Sequence, residues 1–191
     1  MAAQRRALPL GGEVPTDYVF DGVDGSVRLS QLFADGKDTL FLYSFMFIRA
    51  GDDPLGSACP HCTSIIDAID GEAQHVTQRI NFAVSGKAPI AQFAAHGTAR
   101  GWRHTRLLSS AGNTYNHDYG AEGVDGSQFP LATVFVRRDG RIHHAWSSEL
   151  FDAPTEPGQH PRHVDFLWPL WAIFDVIPDG RGTDWEPKLR Y

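Results

Sequence analysis

The sequence predicts an α/β domain with a mixed central sheet flanked by helices, and three observations predict it. Residues 39–48 are a nearly continuous apolar run of strand length, which is typical of a central parallel strand covered on both faces. Short apolar stretches then alternate with segments in which apolar residues recur every three or four positions, as in amphipathic helices. Near the end, two strand-like stretches flank Asp139-Gly140, a dipeptide typical of tight hairpin turns.

The first elements follow an N-terminal arm. Residues 1–15 are rich in Arg, Gly and Pro, and we expect them to form a flexible, loosely attached arm on a single domain of residues 16–191. Residues 17–29 alternate apolar and polar side chains around a Gly-containing turn, which predicts an N-terminal β-hairpin. After the central strand at 39–48, the Gly, Pro and Asp content of residues 49–58 predicts a loop.

Two helices and two more strands are predicted in the middle of the chain. Apolar residues recur at helical spacing over residues 62–76, and a second helix is predicted over 90–100. Strands are predicted at 80–85 and at 106–109. The stretch 110–128 is rich in Gly, Asn and Asp, and we expect it to be mostly irregular.

A closing hairpin and a final helix complete the order. The hairpin is predicted over residues 131–146, and residues 164–176 are apolar at helical spacing, with Pro169 as a kink or a new first turn. Trp168 and Trp171 are expected in the core or at an interface, and an interface position would be compatible with a homodimer. The whole order is that of a thioredoxin-like fold with an N-terminal β-hairpin extension.

Composition narrows the classes of function. The formal net charge is −6 and the basic pairs are isolated, so we expect no nucleic-acid partner. No apolar run is long enough to span a bilayer, and the apolar stretch after Arg5-Arg6 is too short to form the core of a signal peptide, so we expect no membrane partner and a cytoplasmic location. The two cysteines are three positions apart, which favours redox chemistry or metal binding over a structural disulfide framework.

The motif Cys59-Pro60-His61-Cys62 is the predicted catalytic site. Disulfide exchange needs one reactive thiolate and a second thiol that resolves the mixed disulfide. At a helix start we expect Cys59 to project outward as the nucleophile, with Cys62 one turn further in as the resolving thiol. Pro60 is tolerated in a first helical turn, and His61 can add a donor or a positive charge beside the sulfur. The motif predicts a dithiol–disulfide oxidoreductase that acts on a small thiol or a protein disulfide without a cofactor.

Three further residues are predicted to contact the substrate. In thioredoxin-like domains a cis-proline precedes the strand that continues into the closing hairpin, and it lies against the CxxC motif. Phe129-Pro130 is placed in this way, so we expect Pro130 to be cis and to border the substrate. Tyr115 is a candidate for the same pocket, and packing in the core is the alternative interpretation.

Several motifs resemble the DUF899 family, whose members are described as predicted dithiol-disulfide oxidoreductases of the thioredoxin-like superfamily. They cover residues 15–150 in order and read Tyr18-Val-Phe-Asp-Gly-x-Asp-Gly, Phe45-Met-Phe, Cys59-Pro-x-Cys62, Tyr115-Asn116-x-Asp118-Tyr119-Gly120 and Val134-Phe135-x-Arg137-x-Asp139-Gly140. The resemblance implies the thioredoxin-like fold and a redox role for Cys59 and Cys62.

Two other functions remain open at this point. A thiol peroxidase of the peroxiredoxin-like type would share the N-terminal hairpin, although Gly56 stands where such enzymes usually have the Thr of a Thr-x-x-Cys motif. A copper- or zinc-binding thioredoxin-like module would use the two cysteines and a distant histidine, with His143 or His144 as candidates. Neighbouring strand residues face opposite sides of a sheet, so these two rings cannot easily share one ion, and we assign no metal ligand.

Overall fold

The computed structural model describes residues 2–48, 57–149, 157–160 and 166–190. Its strands are β1 (Val19–Gly22), β2 (Gly25–Arg28), β3 (Thr39–Phe45), β4 (Phe47–Ile48), β5 (Ser57–Ala58), β6 (Asn81–Gly86), β7 (Leu107–Ser109), β8 (Leu131–Arg138) and β9 (Arg141–Glu149). Its helices are α1 (Ala2–Arg6), α2 (Pro60–Val76), α3 (Ile90–Arg100), α4 (Tyr115–Asp118) and α5 (Pro169–Phe174), with a 3₁₀ helix over Leu29–Leu32. No helix in these ranges is long and apolar enough to cross a membrane.

Seven strands form one mixed sheet in the order β2-β1-β7-β6-β3-β8-β9. The central strand β3 is parallel to β6 and antiparallel to β8. The hairpin β1–β2 is attached to the sheet by pairing of β1 with β7, and β9, paired with β8, forms the opposite edge. Asp139 and Gly140 have φ angles of 51° and 76°, which a tight hairpin turn between twisted strands requires. The predicted mixed sheet and both predicted hairpins are confirmed.

The predicted central strand is split where it approaches the CxxC motif. β3 ends at Phe45, and the main chain then forms β4, which pairs with β5 in a separate two-stranded ribbon. Residues 57–58 are therefore a strand, whereas the sequence predicted a loop; the rest of that predicted loop, residues 49–56, lies outside the described residues. Because β5 runs back along β4, the ribbon returns the chain to the end of β3 immediately before Cys59.

Alternate residues of β3 supply two hydrophobic cores, one on each face of the sheet. Leu40 and Leu42 belong to the tyrosine cluster, whose buried members are Tyr18, Phe20, Leu29, Leu32, Phe33, Leu40, Leu42, Ala83, Leu108, Tyr115 and Phe135. Tyr43 and Phe45 belong to the dithiol cluster, whose buried members are Tyr43, Phe45, Met46, Phe47, Cys59, Cys62, Ile65, Ile66, Ala73, Phe82, Val84, Ala88, Phe93, Ala132, Trp168 and Trp171. The two cysteines thus lie on one side of the sheet only.

Both long helices contribute to the dithiol cluster and are joined by polar contacts. Arg100 of α3 forms an ion pair with Asp67 of α2. Asp70 of α2 accepts hydrogen bonds of 2.9–3.0 Å from the backbone N–H groups of residues 103–105. Burial alone would raise the pKa of the Asp70 carboxyl, but these N–H donors outweigh it and lower the pKa. Asp70 therefore fixes the chain that leaves α3 against α2.

Part of the predicted N-terminal arm is attached to the sheet. The Val14 N–H donates to the Ile142 carbonyl at 2.8 Å, the His144 N–H donates to the Gly12 carbonyl at 2.9 Å, and Glu13 pairs with His143 in an isolated bridge. The prediction of a loosely attached arm does not describe residues 12–14, because the free edge of β9 offers them backbone partners.

Candidate dithiol site

The structure places Cys59 at the N-cap of α2, with Pro60 at the first helical position. The Cys59 N–H donates to the Met46 carbonyl at 3.1 Å, and its own carbonyl accepts the Thr63 N–H at 2.9 Å. The first bond ties the motif to the end of β3, and the second opens the helix. Proline fits at this position because a first-turn N–H has no intrahelical acceptor.

The two cysteines are free thiols that lie 3.7 Å apart. A disulfide requires a sulfur–sulfur distance of about 2.05 Å, so the pair is reduced, and only a small movement separates it from the bonded state. Both side chains are buried, with exposed fractions of 1% for Cys59 and 0% for Cys62. The expectation that Cys59 projects outward is wrong.

Tyr43 of β3, which no sequence pattern singled out, contacts the deeper thiol. Its hydroxyl donates to the Cys62 sulfur at 3.3 Å, and both residues are fully buried. A donor at this distance stabilises the thiolate form of the sulfur over the thiol. The signal was visible in the sequence, because Tyr43 and Ser44 are the only residues with a hydroxyl group between Leu40 and Ile48.

His61 faces the C-terminal segment of the chain. Its Nε2 lies 2.7 Å from the Glu186 Oε2, and its ring meets the Trp168 ring edge to face with centroids 5.2 Å apart. Only 13% of the His61 side chain is exposed. The influence of His61 on the Cys59 thiolate stays a prediction.

The C-terminal segment packs against the two long helices, and Trp168 and Trp171 belong to the same buried cluster as the two cysteines. The Trp168 indole N–H donates to the Ser64 hydroxyl at 3.1 Å, and the Leu189 carbonyl accepts a bond from Arg100 at 3.0 Å. Trp168 and Trp171 are both in the core, as one of the two sequence interpretations has it. His160 is 2% exposed and packs on Trp171 with ring centroids 4.9 Å apart.

Pro130 lies at the same edge of the sheet as the motif. It directly precedes β8, whose first residue, Leu131, pairs with Ser44 near the end of β3. The loop before it is held there by a 2.9 Å hydrogen bond from the Phe47 N–H to the Gln128 side chain. The peptide bond between Phe129 and Pro130 is trans, so the prediction of a cis-proline is wrong. Contact of Phe129 and Pro130 with a substrate stays a prediction.

Tyr115 lies in the tyrosine cluster, on the opposite face of the sheet from the cysteines. It is fully buried, and its ring packs on those of Tyr18 and Phe20 with centroids 5.7 and 5.3 Å away. Burial raises the pKa of Tyr115 far above its usual value, so the phenol stays protonated. The core-packing interpretation therefore describes Tyr115.

The two strand histidines also lie away from the thiols. The His143 Nδ1 is 3.2 Å from the Gly11 carbonyl oxygen, and the His144 ring packs on Tyr119 with centroids 5.2 Å apart. Tyr119 packs on the tyrosine cluster. The structure does not bring either histidine together with Cys59 and Cys62.

Similar folds occur among solved structures of peroxidases. Peroxidoxin BcpB from Mycobacterium tuberculosis is 19% identical over 74% of this chain and 86% of that chain, with a TM-score of 0.50. Reduced 2-Cys peroxiredoxin from Plasmodium vivax is 19% identical over 86% and 95% of the two chains, with a TM-score of 0.52. Thiol peroxidase from Chromobacterium violaceum is 12% identical over 75% and 77%, with a TM-score of 0.51. At these identities the likeness concerns the fold, and the predicted thioredoxin-like fold is confirmed.

Sequence comparison identifies the family. No curated protein matches the chain. The family described as "Bacterial protein of unknown function (DUF899)" matches residues 1–191, which include every motif that resembled it. The chain therefore belongs to the DUF899 family.

Proposed function

We propose that this protein is a dithiol–disulfide oxidoreductase in which Cys59 is the nucleophile and Cys62 is the resolving thiol. The observation that carries the proposal is the pair of reduced thiols, 3.7 Å apart, at the N-terminal end of a 17-residue helix. The substrate class is a disulfide of a small thiol or of a protein. The cytoplasmic location of the protein and its homodimeric state stay predictions.

The reaction moves two electrons from the dithiol to the substrate. The Cys59 thiolate attacks one sulfur of the substrate, the substrate disulfide breaks, and the first thiolate product leaves and takes up a proton. The Cys62 thiolate then attacks the Cys59 sulfur, which forms the Cys59–Cys62 disulfide and releases the second thiol product. The cysteine pair is oxidised, the substrate is reduced, and the protons of the two cysteines balance those on the products.

The local structure favours both thiolates. Cys59 lies at the N-cap of α2, where the positive end of the helix dipole favours negative charge on its sulfur. The first turn contains no acidic residue that would oppose this. The Tyr43 hydroxyl stabilises negative charge on Cys62, the sulfur that must attack second.

Access to the thiols requires movement of the segment that covers them. Both sulfur-bearing side chains are buried in the resting structure, so a substrate sulfur reaches Cys59 only after part of this covering layer opens. Such local opening is less costly than global unfolding. We assign this movement to the C-terminal segment around Trp168.

Trapping the mixed disulfide tests the proposal. The Cys62→Ser variant, mixed with oxidised glutathione, is expected to accumulate one glutathione on Cys59, because the resolving thiol is missing. The Cys59→Ser variant is expected to accumulate none, and both variants are expected to lose catalytic turnover. Mass spectrometry of the intact and digested protein gives the readout. Turnover that survives in both variants would exclude the proposed mechanism.

A thiol peroxidase is the second candidate, and one structural observation favours it. The N-terminal hairpin β1–β2 extends the main sheet through β7, as expected for a peroxiredoxin-like domain. In this reaction the Cys59 thiolate attacks a peroxide oxygen, an alcohol or water leaves, and Cys62 displaces water from the resulting sulfenic acid. Consumption of hydrogen peroxide with reduced thioredoxin as electron donor, without turnover of oxidised glutathione, would favour this candidate.

A further inference from the structure

Three potential metal ligands from distant parts of the chain meet beside the start of α2. They are His61, His160 and Glu186, and one ligand atom of each lies within 4.8 Å of the other two. His61 belongs to the CxxC motif, His160 to the described stretch 157–160, and Glu186 to the C-terminal stretch 166–190. These residues are far apart in the sequence. They meet only because the C-terminal segment packs against α2.

The imidazole rings are held in place by the surrounding aromatic residues. The His61 ring packs on Trp168, and the His160 ring packs on Trp171. The His160 Nε2 lies 2.8 Å from the Trp185 carbonyl oxygen, which can only accept, so Nε2 carries the proton and Nδ1 is the basic nitrogen. A backbone carbonyl that orients a histidine in this way is a common feature around metal-binding imidazoles.

The ligand set has a recognised chemistry. Two imidazoles and one carboxylate form the protein part of three-ligand zinc sites, in which the fourth coordination position is open. With metal–ligand bonds of about 2.0–2.1 Å, tetrahedral geometry places neighbouring ligand atoms about 3.3 Å apart. That value lies between two distances in the structure. The His61 Nε2 is 2.7 Å from the Glu186 Oε2, and no two of the three ligand atoms are more than 4.8 Å apart. Small side-chain shifts would therefore suffice to admit an ion.

The different burial of the three ligand groups would let a metal ion approach them from one side. His160 is 2% exposed, whereas the Glu186 side chain is 65% exposed, so the carboxylate faces solvent and the imidazoles lie beneath it. His160 also lines a cavity of about 480 Å³ together with residues 158–159 and 179–182. His160 can therefore be approached from this cavity, and Glu186 can be approached from solvent.

The geometry points to a binding site for a divalent transition-metal ion of the Zn²⁺ type, formed by His61, His160 and Glu186. This site goes beyond the proposed oxidoreductase function and uses no thiolate. It also differs from the copper or zinc site considered from the sequence, which would use the cysteines with a strand histidine. The bound ion would join α2 to the C-terminal segment and would thereby hold the covering layer closed over the thiols.

Calorimetric titration of the metal-free, reduced full-length protein with Zn²⁺ tests the site. The wild type and the double variant Cys59→Ser/Cys62→Ser are both expected to bind one equivalent, with dissociation constants within about threefold of each other. The Glu186→Gln and His160→Gln variants are expected to bind at least about 100-fold more weakly, because each removes one of three ligands. Glu186 is exposed, so its variant folds even if the His160 variant does not.

A second histidine–carboxylate pair on the surface provides the matched control. The His117 Nδ1 lies 3.3 Å from the Asp118 Oδ1, but no third ligand accompanies this pair within the described residues. The His117→Gln variant is expected to keep the wild-type Zn²⁺ affinity. The inference is overturned if the wild type binds no Zn²⁺, if the double cysteine variant loses binding, or if Glu186→Gln binds as tightly as the wild type. Since the double cysteine variant has no thiol chemistry, the zinc result does not depend on the proposed oxidoreductase function.

Discussion

The two faces of the sheet are similarly rich in aromatic rings but use their polar atoms differently. In the tyrosine cluster, the rings of Tyr18, Tyr115 and Tyr119 pack on one another with centroids 5.1–5.9 Å apart. In the dithiol cluster, aromatic residues surround two thiols, and the Tyr43 hydroxyl donates a hydrogen bond to one of them. Tyrosine rings thus pack on one another on one face, whereas on the other face a tyrosine hydroxyl is hydrogen-bonded to a thiol.

Burial disfavours the charged form of a phenol and of a thiol alike, but only one face of the sheet offers a source of positive potential beside its buried groups. On the tyrosine face, burial raises the pKa of Tyr18 and Tyr115 far above the usual value and the pKa of Tyr119 to about 12, so all three phenols stay protonated. On the dithiol face, the buried sulfurs lie at a helix N-terminus, where negative charge is stabilised. Buried aromatic and polar residues therefore mark a reactive site only where a source of positive potential accompanies them.

The largest effect is expected for Tyr115→Ala. Truncation of this fully buried ring leaves a cavity in the tyrosine cluster and should lower the free energy of unfolding by about 4 kcal/mol. Chemical denaturation monitored by circular dichroism measures the change. If the loss were below about 1 kcal/mol while the KM for oxidised glutathione rose, Tyr115 would contact substrate and the contrast between the faces would fail.

A carboxylate on each face gives the next comparison. Asp70→Asn removes the charge that binds three backbone N–H groups and should lower the free energy of unfolding by about 2–3 kcal/mol at pH 7. Because the pKa of Asp70 is lowered by folding, its contribution is present above the unfolded value of 3.8 and is lost as the pH falls through the lower folded value. Denaturation curves of wild type and variant should therefore converge below that pH.

Asp118→Asn is the matched control on the tyrosine face. The Thr114 hydroxyl is the main cause of the lowered pKa of Asp118, and Tyr18 adds a second hydrogen bond. These donors are hydroxyl groups at a partly exposed carboxylate, so the loss should stay below about 1 kcal/mol. Equal losses for both variants would show that Asp70 does not anchor the chain after α3 to α2.

Local patterns predicted most of the fold because each element carries its own signal. The apolar run of β3, the helical spacing of α2 and the Asp139-Gly140 turn are each read within a short stretch of sequence. The helix and the turn were confirmed, and the strand was confirmed over Thr39–Phe45. The CxxC motif was found in the same way. The position of the cysteine pair at the start of a helix could therefore be predicted, together with the order of the strands and helices along the chain.

The surroundings of the thiols could not be predicted, because they depend on contacts between distant residues. Trp168 lies 104 positions after Ser64, its hydrogen-bond partner, and Glu186 meets His61 only through the path of the C-terminal segment. Cys59 is buried in the same cluster as Trp168 and Trp171 of that segment, whereas a motif at an isolated helix start would be exposed. The trans geometry of Pro130 likewise depends on how the preceding loop docks, and the Phe129-Pro130 dipeptide alone does not determine it.

Weakening the covering layer should expose the thiols. The Trp168→Phe variant loses the hydrogen bond to Ser64 and part of the packing over α2, a change of about 1.4 kcal/mol that makes local opening about tenfold more frequent. The rate of Cys59 alkylation by iodoacetamide, followed by mass spectrometry, should rise by the same factor. Trp102→Phe is the control, since Trp102 also donates its indole N–H to α2, at Asp67, 2.8 Å away. Equal acceleration in both variants would show general loosening of the core.

The smallest effect is expected when the phenol of the dithiol face is compared with one of the tyrosine face. Tyr43→Phe removes the O–H donor to the Cys62 sulfur, which costs about 1 kcal/mol and should slow attack of Cys62 on the mixed disulfide about fivefold. The first step, attack of Cys59 on oxidised glutathione, should keep its rate, so rapid-quench samples should contain more mixed disulfide than in the wild type. Tyr18→Phe removes an equivalent hydroxyl, bonded to Asp118 at 2.9 Å, and should leave the resolving step unchanged. If both variants resolve the mixed disulfide at the same rate, the Tyr43 hydroxyl only fills space, and the two faces differ solely in the presence of sulfur.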